Sequence, residues 1–110
     1  MKYFHHTAHK ALWNWLGKNP NRFKQEWPGW WSNGGKVYKG MSSCLACNYA
    51  AYDCKGCPMI WDVEYGGRCM EDYRPYHLWR LARDDGDWDE AARLAAMIRD
   101  LPVKEGVICK

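Results

Sequence analysis

The sequence has no apolar run long enough to enter or cross a bilayer. Its first residues include lysine and histidine, where the apolar core of a secretion signal would lie. Such a core needs about 7 to 15 apolar residues, and a membrane-spanning helix needs about 20. We therefore expect a cytoplasmic protein without a membrane partner, in a reducing compartment that keeps thiols available for metal.

The motifs of common enzymes are also missing. The sequence has no Gly-rich phosphate-binding loop and no nucleophile elbow. It has four histidines, and His77 is the only one that follows the paired cysteines. A nuclease of the HNH type needs a histidine base, an asparagine and a second histidine beside its metal, so that class is not favoured. We expect a protein without enzymatic activity.

Cysteine, in contrast, is plentiful, and four of the six cysteines form two Cys-x-x-Cys pairs six residues apart. A two-residue gap lets both sulfurs of a pair point at one centre, and four thiolates match the tetrahedral site that Zn²⁺ prefers. Gly56 allows a positive φ in the second turn, and Pro58 prevents a regular helix there. The spacing therefore predicts a structural zinc site formed by Cys44, Cys47, Cys54 and Cys57.

The identity of the fourth ligand stays open between Cys54 and Cys69. Six residues between the pairs is short for a zinc ribbon, and Cys69 follows a Gly-Gly turn that could bring it to the metal. The two-zinc pattern of six cysteines is excluded, because Cys54 and Cys57 lie too close together for it. An iron–sulfur cluster, a disulfide framework and a redox dithiol are the alternatives to zinc. Cys109 is expected to be a spare thiol.

Charge is distributed unevenly along the chain. Residues 1–57 carry eight Lys and Arg against two Asp and Glu, a net charge of +6, whereas residues 58–110 carry eight against eleven, a net charge of −3. Four thiolates on one Zn²⁺ add about −2. The basic N-terminal half could therefore meet phosphate, although the whole chain is no strong polyanion binder.

Hydrophobic periodicity predicts a short helix over residues 7–17. Ala8, Leu12 and Leu16 recur at a spacing of four, which is typical of a buried helical stripe. Thr7 is the expected N-cap, and Gly17 lies where a left-handed residue commonly ends a helix.

Two features of this helix lie outside the stripe. Trp13 is expected to face a partner. His5 and His9 are four residues apart, so a second metal site is an alternative, but we expect these histidines to be solvated or to act as caps.

A helical hairpin is predicted at the C-terminus. Its first helix covers residues 72–83, with Pro75 in the first turn, where proline is tolerated. Asp87 and Glu90 form a capping box for the second helix, which runs to Leu101. The predicted fold is therefore small and mainly α, and it forms a single domain. Within this domain we expect an N-terminal helix and Trp-rich loop (1–40), a loop-rich zinc-binding segment (41–70) and a helical hairpin with tail (71–110). Apolar residues expected in its core are Ala91, Leu94, Ala95, Ile98 and Leu101.

Tryptophan is unusually abundant, and eight Trp with seven Tyr exceed what so small an interior readily holds. Residues 27–31 contain three Trp in a Pro-Gly turn, so their rings cannot all point inward. These rings either bind a partner or wrap the zinc segment as part of the core. Lys36 to Lys39 is expected to form a short strand beside them. The candidate binding residues are Trp13, Trp27, Trp30, Trp31, Arg22, Lys24, Lys36 and Lys39.

A series of motifs occurs in a fixed order along roughly residues 5–103: His9-Lys10, Leu12-Trp13, Trp15-Leu16, Asn19-Pro20, Trp27-Pro28, Trp30, the Cys-x-x-Cys pairs, Cys57-Pro58, Trp61 and Cys69. This order resembles small uncharacterised zinc-binding proteins of phages and prophages of Gram-positive bacteria. The resemblance implies a cytoplasmic accessory protein of an infecting phage, a class rich in non-enzymatic inhibitors of host defence. It also implies that Cys69 belongs with the metal residues.

Three functions are compatible with this sequence. The first is a binding protein that sequesters a small nucleotide signal or blocks a host defence protein, using exposed Trp rings for contact and basic side chains for charge. The alternative is a nucleic-acid-binding zinc-finger protein that uses the basic N-terminal half. The third is a zinc-stabilised assembly module, since the sequence does not set the oligomeric state.

Overall fold

The computed structural model describes residues 3–35, 37–38, 41–42, 45–46, 57–61, 69 and 74–109. Three α-helices of ten residues or more lie within them: α1 (His6–Lys18), α2 (Pro75–Asp84) and α3 (Trp88–Arg99). Two-residue strands β1 (Val37–Tyr38) and β2 (Met41–Ser42) pair antiparallel. The protein is therefore small and mainly helical, with the predicted N-terminal helix and C-terminal hairpin.

The ends of α1 differ from those that the sequence predicts. His5 precedes the helix without a side-chain cap, and Thr7 lies inside the first turn. Gly17 is helical and lies beside Ala92 of α3, so it does not end the helix. Asn19 ends the helix instead, donating hydrogen bonds from its backbone N–H and its Nδ2 to the Trp15 carbonyl.

The hairpin of α2 and α3 has the predicted order, but its helices end at other residues: α2 ends at Asp84, one residue after the predicted end, and α3 ends at Arg99, two residues before Leu101. Pro75 occupies the first turn of α2. Gly86 takes a positive φ of 71° in the connection, and the Asp87 carboxylate accepts a hydrogen bond from the Glu90 N–H at 3.2 Å. Only this half of the capping box is observed, because the Glu90 carboxylate is bound by Arg93.

The core lies where α3 packs between α1 and α2. The apolar face of α3 is buried as predicted, at Ala91, Leu94, Ala95 and Ile98. Aromatic rings fill the remaining volume, and the Trp13 and Trp79 rings meet edge to face with centroids 4.8 Å apart. The helices therefore share one hydrophobic core built on tryptophan.

The C-terminal tail ties together two distant parts of the chain. The Phe4 N–H donates to the Ile108 carbonyl at 2.9 Å, and the Lys104 N–H donates to the Pro58 carbonyl at 2.7 Å. The tail thus pairs through single bridges and forms no regular edge strand within the described residues. No helix among these residues has the length and apolar character that crossing a membrane requires.

Candidate functional site

Two of the predicted metal ligands, Cys57 and Cys69, are described by the structure, and both are half-buried against the core. The Trp61 indole Nε1 donates a hydrogen bond to the Cys57 Sγ at 3.4 Å. Met59 and Trp61, which follow Cys57 in the chain, are buried in the core. Cys44, Cys47 and Cys54 lie outside the described residues.

The surroundings of Cys57 fit a sulfur that binds a metal. An N–H donor directed at a thiolate stabilises its negative charge, as donors around metal sites commonly do. The Lys104 N–H also holds the carbonyl of the following Pro58, which fixes the backbone beside this sulfur. Within the described part of the chain, no three His, Cys, Asp or Glu side chains gather into a metal cluster. The zinc site therefore stays a prediction.

Two tryptophans that we expected on a binding surface belong to the core. Trp13 is fully buried against Trp79 and Tyr76, because the buried stripe of α1 includes positions 9, 12, 13 and 16. Trp30 is also buried, with its ring over the backbone of Gly35, where a Cβ would lie 2.3 Å from ring atoms. The expectation that Trp13 faces a partner is wrong, whereas Trp30 follows the alternative that rings of the Trp-rich loop belong to the core.

The basic residues before the Trp-rich loop are also less available than expected. Lys24 is only 5 % exposed, so its placement on a binding surface is wrong. Its stem packs in the core, and its Nζ donates to the Tyr76 hydroxyl at 2.6 Å. Arg22 is exposed, but its guanidinium lies 3.6 Å from the Glu26 carboxylate. Lys36 and Lys39 lie outside the described residues.

Trp27 and Trp31 are the candidate tryptophans that reach the surface. Trp31 is 67 % exposed, and Trp27 is half-buried with one side of its ring against the core. The Trp27 ring lies over Gly29, where a Cβ would come within 2.6 Å of it. The Asn33 Nδ2 donates to the Gly29 carbonyl at 2.7 Å and braces the loop. Glycine is therefore required for this ring position.

Trp27 forms one wall of an open groove of about 300 Å³ beside the start of α1. Thr7, Ala8 and Ala11 of α1 also line the groove, and His5 and Asn33 contribute polar groups. The groove thus combines an aromatic face with a few polar side chains, which is the usual composition of a small-molecule site.

The groove also lies at the positive end of a helix dipole. The first turn of α1 contains no acidic residue, and no described side chain caps it. A negatively charged group in this part of the groove would therefore be favoured, by a few tenths to about 1 kcal/mol at an exposed site.

Sequence reasoning missed the stacked guanidinium of Arg83. Its Cζ lies 4.7 Å from the Phe23 ring centroid and 4.9 Å from the Trp79 ring centroid. Phe23 precedes the Trp-rich loop by several residues, so no short-range pattern could have joined it to α2. The spacing of Trp79 and Arg83, four apart on one helix face, was the available signal.

His9 was also misjudged, because it is fully buried and not solvated. Neither of its ring nitrogens has a partner in full hydrogen-bond geometry within the described residues, although the Ile98 carbonyl lies near enough to the ring to act on its pKa. Burial, reinforced by nearby His6 and Lys10, lowers its pKa to about 3, with the Ile98 carbonyl opposing the shift. His9 lies three residues before Leu12 and seven before Leu16, a spacing that places all three on one face of a helix. This spacing was the sequence signal for the burial of His9.

Comparison with known proteins adds no relative. The chain matches no protein-family model, no curated protein and no solved structure.

Proposed function

We propose that this chain is a non-enzymatic binding protein, stabilised by zinc on its cysteines, that holds a nucleotide-class ligand in the groove beside Trp27. The observation that carries this proposal is the half-exposed Trp27 ring that walls a groove of about 300 Å³. That volume is at the lower end of small-molecule sites and suits a nucleobase-sized group.

An aromatic wall suits a planar ligand. A base stacked on a tryptophan ring gains about 1–3 kcal/mol, and every base offers a face for this contact. The Thr7 hydroxyl and the polar groups of His5 and Asn33 lie around the same groove and would orient the ligand. The start of α1 would favour its phosphate.

A zinc ion would hold the segment that follows the Trp-rich loop. The Trp61 N–H directed at the Cys57 Sγ supports a thiolate at this position. In the reducing cytoplasm that we expect for this protein, the cysteines would stay available for zinc. The metal would then act as a structural support for the aromatic core.

The resemblance to phage proteins gives this binding a biological purpose. A small protein made during infection would counter host defence by sequestering a nucleotide signal. The same contact residues would serve if it instead blocked a defence protein, but a groove of this size favours the small ligand.

Binding to nucleic acid is less well supported. Of the four cations expected to meet phosphate, Lys24 is buried and Arg22 lies beside Glu26. A nucleic-acid interface would need several accessible cations, and its affinity would fall steeply with salt.

Titration calorimetry with a panel of mononucleotides and cyclic dinucleotides tests the proposal. We expect at least one compound to bind, and Trp27→Ala to weaken it about 10- to 100-fold through the lost stacking. Trp31→Ala is the matched control, because Trp31 is exposed but does not line the groove. If Trp27→Ala and Trp31→Ala lose nucleotide affinity equally, or if wild type binds no nucleotide, the proposal is contradicted. Affinity for DNA with a steep salt response would favour the alternative.

A further inference from the structure

The guanidinium of Arg83 is held between two aromatic rings on a surface separate from the Trp27 groove. Trp79 is buried and forms the inner ring, whereas Phe23 is 55 % exposed and forms the outer one. Contact with two rings restrains the guanidinium and leaves its outer end as the part that can bind. Arg83 is thus oriented before any partner arrives.

Arg83 makes no hydrogen bond or ion pair with the described residues, and its Nε is buried without an acceptor. Burial lowers the pKa of this guanidinium, while Asp84, Tyr76 and Glu26 act in the opposite direction. The group stays charged at neutral pH, since the ordinary pKa of arginine is above 12. Because the Nε is buried, the Nη groups are the donors of this charged guanidinium that an acceptor from outside can reach.

We propose that Arg83, stacked between Phe23 and Trp79, is the docking point for a carboxylate on an acidic segment of a partner protein. The guanidinium edge presents paired N–H donors that match the two oxygens of a carboxylate. The exposed face of Phe23 lies beside it and would contact an apolar side chain next to the acidic residue. Arginine and aromatic residues are also the types most enriched at interface hot spots.

The charges around Arg83 favour a carboxylate over a phosphate. Glu26 and Asp84 are close enough to act on the guanidinium, so a dianion would meet repulsion from both. The exposed Arg22 guanidinium, next to Phe23, already lies 3.6 Å from the Glu26 carboxylate, and Lys24 is buried with its amine on Tyr76. A guanidinium beside two carboxylates suits a ligand with one negative charge.

Selection from a library of displayed random 12-residue peptides tests this docking point. We expect the wild-type protein to enrich peptides with Asp or Glu beside an apolar residue, and Arg83→Gln to lose the acidic preference. Arg93→Gln is the matched control, because Arg93 is exposed on α3 and pairs with Glu90. The most enriched peptide should bind Arg83→Gln about tenfold more weakly than wild type.

Two further measurements separate docking from a general effect on folding. Arg83→Lys keeps the charge but lacks the planar fork, so it should also lose most of the affinity while its circular dichroism stays unchanged. In wild type, the ¹⁵N resonance of the Arg83 Nε–H should shift when the peptide is added.

Three results would overturn the proposal. The first is an acidic preference that survives Arg83→Gln or never appears. The second is tighter binding when phosphoserine replaces the selected acidic residue, which would identify a phosphate receptor. The third is self-association in light scattering that Arg83→Gln abolishes, which would make a second copy of the chain the partner.

Discussion

Replacing the buried His9 with leucine should stabilise the protein. The His9 ring is 0 % exposed, and neither nitrogen has a hydrogen-bond partner among the described residues. Leucine fills a similar space between α1 and α3 without a polar atom. Because a buried polar group left without a partner costs about 1–3 kcal/mol, we expect His9→Leu to raise the free energy of unfolding by about 1–2 kcal/mol at pH 7.

The larger effect should appear as the pH falls. The pKa of His9 is lowered to about 3 in the folded protein, against about 6.5 in the unfolded chain. Between these values the unfolded chain binds more protons, so stability is complete above about pH 6.5 and is lost progressively below it. The slope approaches 1.4 kcal/mol per pH unit, which gives a loss of about 2 kcal/mol by pH 5 from His9 alone.

Urea denaturation followed by tryptophan fluorescence at several pH values from 7 to 5 measures this effect. At each pH we subtract the free energy of unfolding of wild type from that of His9→Leu. This subtraction cancels contributions common to both proteins, including any from zinc thiolates and from His6. That difference should widen by about 2 kcal/mol toward pH 5. If the free energy of unfolding falls with pH equally in wild type and His9→Leu, the reasoning is refuted.

Two further substitutions probe the aromatic core and the metal segment. Gly35→Ala would place a Cβ 2.3 Å from the Trp30 ring, so the free energy of unfolding measured by thermal melting should fall by about 1–3 kcal/mol. An unchanged melting temperature would contradict this packing. Trp61→Phe removes the N–H that reaches Cys57, so zinc affinity in chelator competition should fall about tenfold or more, whereas Trp88→Phe, at an exposed position, should retain it.

The helices could be predicted from the sequence because their signals are local. Pro75, Gly86 and Asp87 mark the boundaries of the hairpin, and the three-and-four spacing of Ala91 to Ile98 marks its buried face. Local patterns of this kind depend on neighbouring residues alone, and the structure confirms them. Thr7 failed as a cap because the helix begins one residue earlier.

The site could be predicted only in part, because it depends on contacts between distant residues. Trp13 lies at the margin of the α1 stripe, and it is buried because α2 supplies Trp79 against it. Lys24 is buried because Tyr76 offers it a hydroxyl 52 residues away. Periodicity within one segment carries no information about such partners, so the aromatic content left open which of these rings lie in the core and which are exposed.

The central claim is that the Trp27 groove retains a nucleotide-class ligand. The most direct measurement is mass spectrometry of the small molecules that natively purified protein releases on denaturation, with wild type and Trp27→Ala prepared in parallel from the same bacterial host. We predict that wild type releases an intact nucleotide and that Trp27→Ala releases little or none. Wild-type protein without a nucleotide, or equal amounts from both proteins, would contradict the claim.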